Sequence, residues 1–159
     1  MNIYTWIYIL LHPDGHLRSS KAFAISLWVF QVVLGIFLCM IGTLKFSAPL
    51  HVVRGIVPWT PTMPPWLIRS TGAMDVLGGV GVILPSATRI LPVLTPWAAL
   101  GVMTLQFSAI VFHIARGEMW VILLNGALFV LAVLVLWGRS LGAPVLAREI
   151  VRKGKNPRG

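Results

Sequence analysis

Hydrophobic positions along the chain fall into four long runs, and each run keeps its few polar residues on one helical face. About 20 apolar residues in a helix cross a bilayer, so the runs predict spans at roughly 22–46, 66–84, 90–113 and 119–137. Pro85 is expected to close the second span. Two prolines near the start of the third predict that it begins late or is bent there. The pattern therefore predicts an all-α fold, an integral membrane four-helix bundle.

The stretches outside these runs have a different composition. Residues 1–21 contain a short apolar run that is too brief to cross a bilayer, and we expect an N-terminal interfacial segment there. The connection 47–66 contains five prolines, which forbid a continuous helix, and we expect it to fold over one end of the bundle. The predicted division is 1–21 for the interfacial segment, 22–138 for the four-span domain and 139–159 for a basic cytoplasmic tail.

Composition and charge support a membrane protein and suggest its orientation. The chain is 57% hydrophobic with a formal net charge of +9, from 13 Lys and Arg against four acids. The basic residues flank apolar runs instead of forming a stripe on a soluble domain, so we expect membrane lipid and no nucleic acid as a partner. With four spans, the side that holds both termini carries nine Lys or Arg and the other side four. The positive-inside rule then predicts cytoplasmic termini in a multi-pass protein, which we expect in the plasma membrane of a prokaryote.

The second apolar run contains a carboxylate among glycines. Gly72, Asp75 and Gly79 share one face of a helix, and Thr71 lies one turn before the acid. Small residues allow a neighbouring helix to approach closely, so Asp75 is expected to point into the bundle. An ionisable group at membrane depth is a functional candidate, although it can also serve only to tie helices together.

The polar residues of the other spans lie towards the same end of the bundle. Lys45 ends the first span, His113 ends the third and Glu118 opens the fourth. Gln106 lies seven residues before His113, and Asn125 lies seven after Glu118, so both are at a depth similar to that of Asp75. The arrangement predicts a polar pocket around Asp75 in the outer half of the bundle.

Each of these residues also has a structural interpretation. Trp59, in the Pro-rich connection, is expected to roof the pocket. Lys45 either extends to the headgroups or pairs with Asp75. Gln106 and Asn125 are frequent interhelical hydrogen-bonding residues as well as candidate ligand contacts. A histidine that ends a helix, such as His113, is often simply solvated.

Several chemistries are excluded by what the sequence lacks. Cys39 is the single cysteine, so the chain has no disulfide, no Cys-x-x-Cys pair and no thiolate cluster. His113 is the one histidine within or ending a span, which argues against a haem with paired axial ligands. There is no nucleotide-binding or nucleophile-elbow motif. We therefore expect no metal and no intrinsic cofactor.

The chain resembles the DoxX-like family of small four-helix membrane proteins. The resemblance covers about 25–139 and is carried by four segments: Gly42-Thr-Leu-Lys45, Arg69-Ser-Thr-Gly-Ala-Met-Asp75-Val-Leu-Gly78 with Gly81-Val-Ile-Leu-Pro85, Ala98-Ala-Leu-Gly101, and His113-Ile-Ala-Arg-Gly-Glu118. The family more often has Glu where Asp75 stands. It takes its name from a membrane subunit of a thiosulfate:quinone oxidoreductase, and relatives include chaperone-like membrane proteins.

Three functional hypotheses follow. The first is a subunit of a membrane redox system whose pocket binds a lipophilic molecule such as a quinone, with another membrane protein or a second copy as partner. The second is a stand-alone membrane enzyme that uses Asp75 as general acid for epoxide opening, isomerisation or cyclisation. Catalytic roles are assigned to Asp75, Lys45 and His113, and substrate contacts to Gln106, Asn125, Glu118, Trp59 and Thr71. The third is a membrane scaffold or chaperone.

Overall fold

The computed structural model describes residues 21–147, which form an all-helical bundle. The α-helices are α1 (Lys21–Ser47), α2 (Leu50–Ile56), α3 (Pro65–Thr88), α4 (Leu94–Arg116) and α5 (Met119–Trp137), and a π-helical turn, Gly138–Gly142, extends α5. Four of these helices, α1, α3, α4 and α5, are long and apolar enough to cross a membrane. The predicted four-span helical bundle is confirmed.

Glycines set the close contact between α1 and α3. A Cβ atom added at Gly72 would lie 2.7 Å from the backbone nitrogen of Phe46, and one at Gly79 would lie 2.6 Å from the carbonyl oxygen of Gly35. Neither helix backbone can retreat without opening the interface, so only glycine fits at these positions. The face predicted from Gly72, Asp75 and Gly79 is buried, and it is the face that meets α1.

The two ends of the bundle are packed differently. The end where α1 finishes and α4 meets α5 is called here the Pro-rich end, because segment 48–64 lies over it; the other is the termini end. Helices α3 and α4 are in close contact towards the termini end, where a Cβ atom added at Gly81 would lie 2.8 Å from the Cβ of Ala98. Contact of α5 with α1 is also close there, since a Cβ at Gly138 would lie 2.5 Å from Leu27.

Segment 48–64 contains two short helical pieces between its prolines. Helix α2 follows Pro49, and a 3₁₀ turn, Thr60–Thr62, follows Trp59. Val53 and Val57 are buried against Ile68 of α3, which attaches the segment to the bundle. The prediction that this connection is broken by its prolines and folds over the bundle agrees with this arrangement.

One predicted span boundary is wrong. Helix α3 does not close at Pro85 but continues to Thr88 and ends at Arg89, whose φ of 57° is left-handed. Proline removes one backbone hydrogen bond, and neighbouring groups in a membrane helix tolerate this loss; the Thr88 hydroxyl donates 2.8 Å to the Leu84 carbonyl. The third span begins at Leu94 and ends at Arg116, so the late start near its prolines is confirmed.

A buried arginine closes the termini end. Sequence analysis assigned Arg139 to the polar tail, but the structure places it in the π-helical turn, where it is 6% exposed. Its Nε donates 2.7 Å to Gln31 Oε1, and its guanidinium lies 4.6 Å from the ring of Trp28. Gln31 Nε2 in turn donates 2.6 Å to the carbonyl of Val82. The predicted interfacial segment and most of the predicted tail lie outside the described residues.

Candidate functional site

A cavity of about 530 Å³ lies between the four spans at the Pro-rich end. This volume falls within the range of roughly 300–1,000 Å³ that small-molecule sites occupy. Its walls come from the last turns of α1 and α4, the first half of α3 and α5, and the segment around Trp59. Most of the lining is apolar: Phe37, Leu38, Ile41, Ile56, Val57, Pro58, Trp59, Leu67, Leu105, Ala109, Phe112, Trp120, Val121, Leu124 and Leu128.

The Lys45–Asp75 ion pair forms part of the cavity wall. The ammonium of Lys45 contacts the carboxylate of Asp75, and both side chains are buried. Gly42 and Gly72 bring the two backbones together at this level, because a Cβ at Gly42 would lie 2.8 Å from the Asp75 Cβ. Removing one partner of such a pair leaves a charge buried without compensation, which costs about 3–5 kcal/mol. Of the two predictions for Lys45, pairing with Asp75 is the one that the structure shows.

Trp59 connects the ion pair to the opposite wall. Its ring centroid lies 5.8 Å from Lys45 Nζ, which is cation–π distance, and 6.2 Å from the ring of Phe112 in an edge-on contact. Trp59 therefore covers the cavity as the sequence predicted, and it touches both α1 and α4.

His113 lines the cavity and is held by a carboxylate outside it. His113 Nδ1 lies 2.6 Å from Glu118 Oε2, and Arg116 Nε donates 2.7 Å to Glu118 Oε1. The turn between α4 and α5 fixes this arrangement: Gly117 adopts a left-handed φ of 69°, and the Glu118 backbone nitrogen donates to the His113 carbonyl. Partial burial raises the pKa of Glu118, but hydrogen bonds from Arg116 and His113 outweigh it and hold the pKa below its ordinary value.

Two amide side chains offer free hydrogen-bonding groups to the cavity. Gln106 is only 4% exposed and has no hydrogen-bond partner among residues 21–147. Asn125 Nδ2 donates 2.9 Å to the Val121 carbonyl, which leaves its Oδ1 available. Leaving a buried amide without a hydrogen bond costs folding free energy. A bound molecule that forms this hydrogen bond with Gln106 would therefore bind more tightly.

The remaining predicted residues have more local roles. Thr71 lines the cavity, but its hydroxyl donates to the carbonyl oxygens of Leu67 and Ile68, both at 3.0 Å. Glu118 does not line the cavity and acts through His113. The structure thus brings seven of the eight candidates to one cavity: Asp75, Lys45, His113, Gln106, Asn125, Trp59 and Thr71.

The cavity opens to the surface that faces lipid. Trp120 lines it and is 85% exposed, and Leu124, one turn further along α5, is also exposed. Ser108 on α4 lines the cavity and is exposed as well. The cavity therefore reaches the outer surface of the bundle beside Trp120.

Sequence reasoning missed two contributors. Phe112 has no polar group, and it lies beside the face of α4 that holds the polar residues. The sequence signal for it is the spacing of the apolar residues 105, 109 and 112, four and three positions apart, which places them on one helical face. Arg69 donates 2.9 Å from its Nη1 to the Lys45 carbonyl and so caps the end of α1 beside the ion pair. Basic groups at a helix C-terminus are favourable in this way.

Within residues 21–147, no group of three His, Cys, Asp or Glu side chains is placed to hold a metal ion. The comparison with protein families gives one match, to the DoxX-like family, over residues 29–135. The searches of curated proteins and of solved structures return no match. The matched region contains the four spans except for their outermost turns, together with all the residues that line the cavity.

Proposed function

Because the chain belongs to the DoxX-like family of membrane proteins, and its spans surround a cavity that opens towards lipid, we propose that it binds a lipophilic small molecule such as a quinone. The protein would act as a subunit of a membrane redox system, with electrons supplied by a partner protein. Its own residues would bind the head group and handle protons.

The observation that carries this proposal is the composition of the cavity wall. Apolar side chains from all four spans form most of the lining, and polar groups without protein partners, among them Gln106 and Asn125 Oδ1, are held between them. A few convergent polar groups in an apolar cleft are typical of sites for small amphipathic ligands. A head group with carbonyl or hydroxyl oxygens can bond to them, and its tail can leave beside Trp120 into the bilayer.

The orientation follows from charge. Lys and Arg are concentrated on the side of the termini end, so that end faces the cytoplasm and the cavity lies in the outer half of the membrane. A partner that exchanges electrons with the bound molecule would then contact the Pro-rich end or reach the molecule through the lateral opening.

The proposal is tested by filling the cavity. Ala109→Phe places a ring inside it, whereas Ala127→Phe, on the exposed face of α5, serves as the matched control. Binding of menadione to the purified protein in lipid nanodiscs is measured by isothermal titration calorimetry. We expect Ala109→Phe to weaken binding at least tenfold, which corresponds to about 1.4 kcal/mol, and Ala127→Phe to leave it unchanged. Equal affinities of the two variants would contradict the proposal.

A second candidate function is favoured by the position of Asp75 on the cavity wall. An acid at this point could protonate an epoxide, alkene or carbonyl of a bound substrate. The contact with Lys45 opposes this role, because a cation beside a carboxyl group favours the ionised form, which has no proton to give. Asp75→Asn separates the functions: it abolishes turnover by an Asp75-dependent enzyme, while a binding subunit keeps part of its affinity and a scaffold keeps its partner.

A further inference from the structure

The contact between His113 and Glu118 has the geometry of a carboxylate-oriented base. Glu118 is ionised at neutral pH because its pKa lies below the ordinary value, and an ionised carboxylate only accepts hydrogen bonds. His113 Nδ1, 2.6 Å away, must therefore carry the proton of this hydrogen bond. In the neutral imidazole, Nε2 is then the nitrogen with a free lone pair.

The Nε2 atom is the part of His113 that a ligand can reach. The ring lines the cavity and is 3% exposed, and Nε2 has no hydrogen-bond partner among residues 21–147. Glu118, by contrast, does not line the cavity, and its second oxygen accepts a hydrogen bond from the exposed Arg116. The pair thus joins the cavity to the outside of the protein.

We propose that the His113–Glu118 pair is the proton acceptor of the cavity, and that the ligand class it selects has an acidic hydroxyl group, as hydroxyquinones do. This inference rests on the proposed function and makes it more specific. The O–H bond of the ligand breaks and an N–H bond forms at His113 Nε2, while the electron pair stays on the ligand oxygen. Glu118 stabilises the resulting imidazolium through Nδ1–H and is a positioning residue.

The other charged groups around His113 do not compete for this proton. Lys45 and Asp75 face the cavity from α1 and α3, where the Lys45 ammonium contacts Asp75 Oδ2, and a carboxylate beside a cation is a weaker base than an imidazole. Arg116, on the helix of His113 itself, is bonded to Glu118 and has no free lone pair. His113 is the one imidazole on the described cavity wall, and its Nε2 has no partner there.

The test uses two probes that differ by one hydroxyl group. In water at neutral pH, 2-hydroxy-1,4-naphthoquinone is an anion, whereas 1,4-naphthoquinone does not ionise. Titration calorimetry of the full chain in nanodiscs, in two buffers of different ionisation enthalpy, gives the number of protons taken up on binding. Because the hydroxylated probe has already lost its proton to water, the pair of ligand anion and imidazolium forms by uptake of about one proton from the buffer onto His113. We expect no uptake with the other probe. Affinity for the hydroxylated probe should then fall about tenfold per pH unit above neutrality.

Variants assign the proton to its acceptor. In His113→Gln and in Glu118→Gln, the ratio of affinities for the hydroxylated and plain probes is expected to fall at least tenfold, and His113→Gln should lose the proton uptake. His51→Gln, at an exposed histidine of α2 that does not line the cavity, is the matched control and should behave as wild type.

The outcomes separate this inference from the proposed function. Suppose that wild type binds both probes. If proton uptake is absent in wild type, or if it persists in His113→Gln, the proton-acceptor role is wrong and the binding function stands. Uptake that is lost in Asp75→Asn and kept in His113→Gln would transfer the role to the ion pair and would also overturn the inference. If wild type binds neither probe, the proposed function fails, and this inference fails with it. If His113→Gln does not fold, the ratio in Glu118→Gln decides.

Discussion

The Lys45–Asp75 ion pair offers the most quantitative test of how the bundle is held together. Lys45→Met removes the ammonium and keeps most of the side-chain length, and Asp75→Asn removes the charge of the carboxyl without changing its shape. Both groups are buried where α1 and α3 are in backbone contact, so a charge left without its partner is poorly hydrated there. We expect each single substitution to cost about 3 kcal/mol or more of the free energy of unfolding.

The double variant should cost far less than the sum of the two singles. Once both charges are absent, no uncompensated group remains, and replacing a whole buried pair is often close to neutral. A coupling free energy of about 2–3 kcal/mol between the two positions is therefore expected, at the upper end of values for contacting residues.

The assay is a double-mutant cycle by equilibrium unfolding in mixed micelles. The purified protein is titrated with dodecyl sulfate, and helix content is followed by far-ultraviolet circular dichroism. Retained cavity binding of menadione checks that the double variant is native. Single substitutions that each cost less than about 1 kcal/mol and add independently would refute the reasoning, because that result is expected of a solvated pair.

The remaining predictions concern helix packing, pH dependence and the termini end. Gly79→Ala should destabilise the bundle by about 1–3 kcal/mol, because its Cβ would lie 2.6 Å from a carbonyl oxygen of α1, whereas Gly101→Ala, with open space around it, should be neutral or stabilising in the same unfolding titration. The lowered pKa of Glu118 contributes folding stability that is present above the ordinary carboxyl pKa and is lost as pH falls through the pKa of the folded state. In a plot of melting temperature against pH, Glu118→Gln should therefore flatten the acidic part. An unchanged plot would contradict the assigned hydrogen bonds. Gln31→Met should lower the free energy of unfolding by about 1–3 kcal/mol, because it removes the hydrogen-bond acceptor of the buried Arg139 guanidinium, whose Nη2 already has no partner. A variant as stable as wild type would show that the guanidinium is solvated.

Helical periodicity was sufficient to predict which faces are buried. Gly72, Asp75 and Gly79 on α3 lie on the buried face, and so do Gln106 and His113 on α4, because a bundle in lipid has one inside and the polar side chains avoid the acyl chains. Residues at similar depth on buried faces meet, which explains why polar residues of different spans lie on one cavity wall.

Contacts that depend on side-chain reach could not be predicted in the same way. Spacing alone left Lys45 free to extend to the headgroups or to pair, and only the backbone contact at Gly42 brings Asp75 within reach. The role of Glu118 depends on the left-handed turn at Gly117, which directs the carboxylate to His113 and away from the cavity.

The termini end shows a further limit of composition. Arg139 was grouped with the basic tail because it follows the last apolar residue. The π-helical turn carries it back over α1, where Gln31 accepts its hydrogen bond. No hydrophobic pattern signals such a turn, because Leu141 is its one apolar residue.

Photolabelling tests the central claim most directly, namely that a lipophilic molecule occupies the cavity between the spans. A naphthoquinone bearing a diazirine on a short alkyl chain is irradiated with the protein in nanodiscs, and the modified residues are mapped by mass spectrometry. We predict adducts on cavity residues such as Trp59 and Phe112 that disappear with excess menadione, and only weak, uncompeted labelling at the lipid-facing Leu77. Labelling spread evenly over lipid-facing side chains, and unaffected by menadione, would contradict the account.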